Sequence, residues 1–381
     1  MVGKPIRSFL EALPGRFSQG QTPDPTDDIT ELPPALRHQL SEKIKQLPIP
    51  QDYLAAVHEA LKEALNAWQI SPDTSNNSLV VLSSPVEAIA PILKASFQDD
   101  LPDYEVRQFL GGYQRPPDPL TILDHLRREL EPEQTADKKA EAEKDKRPTV
   151  MVIPSLEPCF LRCIQGWEGI EYLQALASQD VSRFWVFGCN HWAWAFLEKV
   201  CQVNAYLEQV ICLPELTAEV LQTWLDPVLA EPLPDSPNLK FPEDQGNWES
   251  LANLAGETST LAAQLWLQSL RLQSSDLNED GAITAEATVE LQFAKPAFPS
   301  LMSLEALDRY ILHALLIHRE MTRSHLALSL GEAERRIRSR VQVLQREGII
   351  IQWGRRLTVH PAHYHRLCSE LANNNFLIGK T

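Results

Sequence analysis

Cys159 and Cys163 stand four positions apart, and Cys189 and His191 follow about 25 residues later. Three thiolates and an imidazole match the number and softness of ligands that tetrahedral zinc takes, although the spacing is not a common finger spacing. The same thiols suit a hydrophobic core, since cysteine is among the most buried residue types. A nucleophilic Cys159, Cys163 or Cys189 would need a neighbouring base and an orienting acid. Neither is visible beside them in the sequence.

A second constellation is cationic. Arg335, Arg336, Arg338, Arg340 and Arg346 lie on one helical pattern, and Arg355 and Arg356 occupy a following turn. Ile337, Val341 and Leu344 mark the buried stripe of that helix. Arg335, Arg338 and Arg346, with Arg355 and Arg356, are therefore the candidates for contacts to DNA phosphates. The competing reading pairs these arginines with acidic residues of the α/β region, in an intramolecular or protein–protein interface.

An alternation of strands and helices would position these groups. Residues 79–82 are a short buried-strand signal, with a helical pattern over 85–97 directly after it and an amphipathic helix over 53–68 before it. The strand signal returns at 149–153, 183–187 and 209–213, interleaved with helices at 161–178, 192–201 and 218–229. Thr217 is placed to cap the last of these. Such alternation predicts a parallel α/β sheet. The cluster Phe184, Trp185, Phe187, Trp192, Trp194 and Phe196 fits its core better than a stacking platform. Residues 1–50 read as a Pro-rich flexible leader, 131–148 as a charged solvated insert, and 230–302 as a loop with a helix over 251–272.

From Ser303 the pattern changes. Ser303 reads as a helix N-cap, and helices are predicted up to 318, over 322–330 and over 332–347. Gly331 breaks the second, and Gly348 is suited to end the third. Two strands, 349–352 and 357–360, then flank a turn. Three helices followed by a hairpin is the winged-helix order.

The net charge of −16 is uneven: the last 79 residues hold 12 Lys+Arg and 7 Asp+Glu, leaving −21 for the other 302. This disfavours a polyanion as partner of the whole surface and suggests separate modules. At 44% hydrophobic and 23% charged the chain is neither collagen-like nor wholly disordered. No window approaches 18 uninterrupted apolar residues, so no membrane span is expected. Six cysteines are too sparse for a disulfide scaffold, and no secretory apolar region is visible near Met1. The expected location is cytoplasmic.

Over residues 50–370 this order resembles the STAND branch of the AAA+ ATPases, the NACHT and NB-ARC-like regulators. In that family a loop of the form GxxxxGK[ST] cradles phosphates. The matching stretch here runs from Ser83 to Ala90. Ser83 and Ala88 stand at the glycine positions, Ile89 at the lysine and Ala90 at the hydroxyl. Pro85 removes a donor, and Glu87 puts an anion where phosphate would sit. The family's second motif ends a strand in acids that hold magnesium. Here Pro154 and Ser155 follow the strand, and only Glu157 is near. The resemblance also implies nucleotide contacts at Pro214, at the strand-to-lid junction, and at His360, whose next residue is Pro361 rather than the family's Asp.

The expected architecture is thus α/β, with a parallel-sheet P-loop-NTPase-like core over 51–229, a helical lid-like segment over 230–302, a winged-helix domain over 303–371 and a tail over 372–381. The expected function is regulatory or scaffolding, through contacts with another protein, on a degenerate nucleotide site. The alternatives are a DNA-binding transcriptional regulator and a nucleotide-binding ATPase. The chain is not expected to be an enzyme. No resident cofactor is expected, ADP/ATP and zinc being the groups considered.

Overall fold

The chain opens with β1 (Ile29–Glu31), α1 (Pro34–Gln46) and α2 (Gln51–Ile70). It then alternates β2 (Ser78–Ser83), α3 (Ile89–Ser96), β3 (Glu105–Gln108), α4 (Ile122–Leu130), β4 (Thr149–Ile153), α5 (Glu168–Gln179), β5 (Arg183–Asn190), α6 (His191–Cys201), β6 (Val210–Cys212) and α7 (Ala218–Ala230). The computed structural model describes residues 29–71, 76–97, 101–130, 147–230, 239–240, 247–273, 275, 277 and 289–379. Five strands form a parallel sheet in the order β3-β4-β5-β2-β6. β2 lies inside it and is buried along its whole length, as a continuous apolar run in a parallel sheet requires. This is the parallel-sheet α/β core expected from the sequence.

Alternate strand residues point to opposite faces, and each face has its own core. Val80, Leu82, Met151, Ile153, Trp185 and Phe187 pack with α4, α5 and α6. Leu79, Val81, Val150, Val152, Phe184 and Val186 pack with α1, α2, α3 and α7. Each such side chain contributes roughly 1.5–3 kcal/mol on burial. Gly188 sets how closely β5 can be approached: a Cβ there would lie 2.3 Å from the Pro154 carbonyl oxygen.

Next come β7 (Leu239–Lys240), α8 (Trp248–Ala255), α9 (Ser259–Ser269), β8 (Leu270–Gln273), β9 (Val289–Glu290) and β10 (Gln292–Phe293). The single helix expected over 251–272 is instead two helices and a strand. Gly256, at φ +57°, ends α8, and Leu270 turns extended to start β8. β8 pairs antiparallel with β1 and β10, and α1 buries Leu36, Leu40 and Ile44 in the core shared with α9. The flexible leader expected over 1–50 is therefore corrected from Ile29 onward, because its apolar residues complete this core. Residues 1–28 lie outside the described residues, as do 131–146 of the charged insert.

The C-terminal unit comprises α10 (Ala306–His318), α11 (Arg323–Leu330), α12 (Glu334–Arg346), the hairpin β11 (Ile350–Trp353) and β12 (Arg356–Val359), and α13 (Tyr364–Asn373). A bridge from Met321 to Leu357 adds a third extended segment. The cap expected at Ser303 falls two residues later. Glu305 and Asp308 form a reciprocal capping box there. Among the described residues no helix is long and apolar enough to cross a membrane.

Candidate functional site

Ligands of open α/β sheets bind beyond the carboxyl ends of the strands. At those ends β2 and β5 are in register, Ser83 opposite Asn190. The loop after β2 carries Glu87, whose side chain is buried. Its Oε2 accepts hydrogen bonds from Ser259 Oγ (3.0 Å) and Thr260 N (3.1 Å). Its Oε1 accepts from Thr260 Oγ1 (3.1 Å) and Ala88 N (3.3 Å). Ser259 and Thr260 begin α9, so the carboxylate sits at the positive end of a helix dipole supplied by another unit. Burial raises the Glu87 pKa above its ordinary 4.5, and the four bonds oppose that rise. The anion foreseen at the phosphate position is thus held by the chain's own donors.

The network continues. Tyr53 Oη of α2 accepts from Ser259 N (3.1 Å) and donates to the Glu257 carbonyl, and burial drives its phenol pKa well up. The Glu257 carboxylate in turn meets His191 Nε2 at 2.8 Å. One polar chain therefore joins α2, the β2–α3 loop, the start of α6 and the α8–α9 segment.

Glu157 follows β4 and is also buried. Its Oε1 accepts from Asn190 N and Asn190 Nδ2, both at 2.8 Å, and its Oε2 accepts from Ser155 Oγ. Asn190 Oδ1 caps α6 by accepting from Trp192 N and Ala193 N, and Asn190 Nδ2 also donates to the Ile317 carbonyl of α10 (3.1 Å). Glu157 is thus engaged in fixing the end of β5. Gly379 closes the same corner: a Cβ there would lie 2.5 Å from the His191 carbonyl carbon, so only glycine allows this backbone contact.

The zinc set is corrected. Among the described residues no group of three or more His, Cys, Asp or Glu side chains is arranged to hold a metal. Cys159 Sγ points at the Ser155 carbonyl and Cys189 Sγ at the Asn190 carbonyl, while the His191 ring is committed to Glu257. Cys163 is half-buried beside Gly166. Desolvation raises the Cys159, Cys189 and Cys163 thiols above their ordinary value, the reverse of what a thiolate ligand or nucleophile needs. The Trp185 and Trp192 rings are core.

Pro214 is half-buried just beyond β6, where the following Leu216 N donates to Gly256 O (3.0 Å). His360 is fully buried, its Nδ1 accepting from Ala362 N (3.2 Å) and its Nε2 facing Gln264 Nε2 of α9 (2.9 Å). The structure therefore places His360 in a contact between α9 and the C-terminal unit. Sequence reasoning missed Arg115, which no periodicity marks. It is half-buried among the carbonyls of Phe160, Glu157 and Glu320, and desolvation lowers its pKa to about 10.

The expected pairing of the C-terminal arginines with the acidic α/β region is corrected as well. Arg340 binds Asp308 through Nε (2.8 Å) and Nη2 (2.6 Å) and Glu305 through Nη1 (2.7 Å). Arg336 pairs with Glu332, Arg338 with Glu334 and Arg356 with Glu320, all inside the C-terminal unit. The helix that meets the α/β unit is α10, which packs against α6, while α12 packs against α10, α11 and β11. Arg335, Arg346 and Arg355 are exposed and in no ion pair among the described residues.

No protein family and no curated protein matches the chain. Solved structures similar to it include the Aeropyrum pernix ORC1 protein in complex with DNA, at 12% identity and a TM-score of 0.38, over 85% of this chain and 94% of that one. The Thermotoga maritima RuvB Holliday junction branch migration motor aligns at 15% identity and 0.30, over 84% and 95%. The Aeropyrum pernix ORC2 protein in ADPNP–ADP complexes aligns at 14% and 0.32, over 84% and 92%. The expectation that the chain is not an enzyme is corrected by these likenesses, one to a motor and one to nucleotide complexes.

Proposed function

We propose that the chain is a STAND-like regulatory or scaffolding module acting through contacts with another protein, organised as units 51–229, 230–302 and 303–371. What carries this reading is the Glu87 carboxylate. It occupies the anion pole at the end of the sheet and ties the α/β unit to the first turn of α9. A junction held by an internal anion supports a role in which the relative placement of the units, and the surfaces they present, is the output.

A second reading, a nucleotide-binding ATPase, is favoured by the donors themselves. Ser259 Oγ, Thr260 N and Thr260 Oγ1 suit a phosphate oxygen once Glu87 withdraws. Affinity capture of the tagged full chain, with nuclease treatment and washes containing ADP or ATP, separates the two. Retention of one protein partner at constant stoichiometry through both washes supports the first reading. Release of every partner by nucleotide supports the second.

A further inference from the structure

The contact between α10 and the α/β unit is a continuous apolar core, and the titratable and charged groups set into it are histidines and arginines rather than ion pairs. His318, the last residue of α10, is fully buried against the Phe160 ring at 4.6 Å between centroids. Its Nδ1 lies 3.1 Å from Arg115 Nη2, and its Nε2 accepts from Arg162 N at 3.1 Å. A neutral imidazole has one lone pair to offer these two donors, and a protonated ring has none. His313 lies between the Arg162 guanidinium (Nδ1 to Nη1, 3.4 Å) and the Leu377 carbonyl (Nε2 to O, 2.8 Å). His325 Nε2 meets the Pro116 carbonyl at 2.9 Å. The acids near this seam are engaged elsewhere: Glu157 with Asn190 and Ser155, Glu320 with Arg356. Tyr113, Cys159 and Cys163, which also lie near Arg115, are raised above their ordinary values by burial and so held uncharged, and Tyr310 lies near Arg162.

We propose that this seam is an acid-released latch, in which protonation of His318 drives the C-terminal unit off the α/β unit. Docked, the ring faces two donors and two guanidinium groups with no carboxylate to receive the new charge. Burial, then Arg115, Arg162 and the other two histidines, holds His318 well below the ordinary imidazole value of 6.5. Burial pushes His313 down to about 4, and burial with Arg115 lowers His325 against the Pro116 and Pro117 carbonyls. All three shifts have one sign. A released histidine takes a proton near its ordinary value, so docking is fully favoured above 6.5 and weakens as pH falls through it. Each histidine that protonates on release weakens docking by up to about tenfold per pH unit.

The test is small-angle scattering of the intact chain, with far-UV circular dichroism alongside, from about pH 8 to about pH 5. The expected result is an increase in radius of gyration while helical signal is retained. In His318→Gln the transition moves to lower pH and becomes shallower. In Arg162→Met, which removes a like charge from beside the ring and carries the test alone if the first variant does not fold, the docked ring accepts the proton more readily, so the transition likewise moves to lower pH and becomes shallower. A common midpoint in all three proteins, expansion that coincides with loss of helical signal, or no expansion across the range would each overturn the proposal.

Discussion

Glu87 and Thr260, 173 positions apart, share two hydrogen bonds of 3.1 Å, one to the backbone N–H and one to the hydroxyl of the threonine. Through them a loop of the sheet unit caps a helix of the following segment. The helix dipole and the charged acceptor make such bonds stronger than neutral ones.

Glu87→Ala removes the acceptor and leaves buried donors on Ser259 and Thr260 unpaired. The expected cost is about 1–3 kcal/mol, read as a lower melting temperature. Glu87→Gln keeps one acceptor and turns an amide N–H₂ toward a donor, so it also melts below the wild type. The pH dependence has a defined sign. Because the folded carboxyl has a pKa above its ordinary 4.5, its contribution is fully present below that value and declines as pH rises through the folded one. The gap between wild type and Glu87→Gln is therefore widest in acid and narrows toward neutrality. A gap that widens with pH contradicts the assignment.

Much of the frame was legible. Residues 149–153 are the strand Thr149–Ile153, and the three helices and hairpin of the C-terminal unit lie where their periodicity put them. Thr217 caps as read, with Val220 N bonded to its Oγ1 at 3.3 Å. β3 carried no signal, because Glu105–Gln108 is a half-exposed edge strand without apolar alternation. The family resemblance also put Glu87 where that family holds phosphate. It did not show which donors meet it, since Ser259 and Thr260 are local to nothing near residue 87. Long-range pairs of this kind, like Arg115 with His318, leave no periodic trace.

Arg340 is expected to matter for folding rather than for binding. Its guanidinium grips Asp308, whose side chain is completely buried, and reaches Glu305. Among the described residues Arg340→Met leaves that carboxylate with only the Glu305 N–H as partner, and it is expected to cost about 2–3 kcal/mol. Denaturant titration measures it. A change under about 0.5 kcal/mol, the usual range of a surface substitution, would show the pair to be ornamental to stability.

The exposed arginines of α12 and of the β11–β12 turn give the DNA alternative a sharp test. Arg335, Arg346 and Arg355 are the arginines there without ion pairs among the described residues, so neutralising all three should flatten the salt dependence of any duplex binding by roughly three units of slope. Binding that is nanomolar near about 0.15 M salt and selective for one sequence would favour a transcriptional regulator. Weak binding with an unchanged slope in the triple variant would remove this face as a DNA surface.

The most direct measurement is a titration of ADP and of ATP, each with magnesium, into the wild-type chain and into Glu87→Ala at matched ionic strength. With the Glu87 carboxylate as resident occupant of the anion pole, the variant is expected to bind either nucleotide at least about tenfold more tightly, a difference of about 1.4 kcal/mol. Equal affinity in the two proteins would contradict it, because a phosphate and the carboxylate would then not be competing for Ser259 and Thr260.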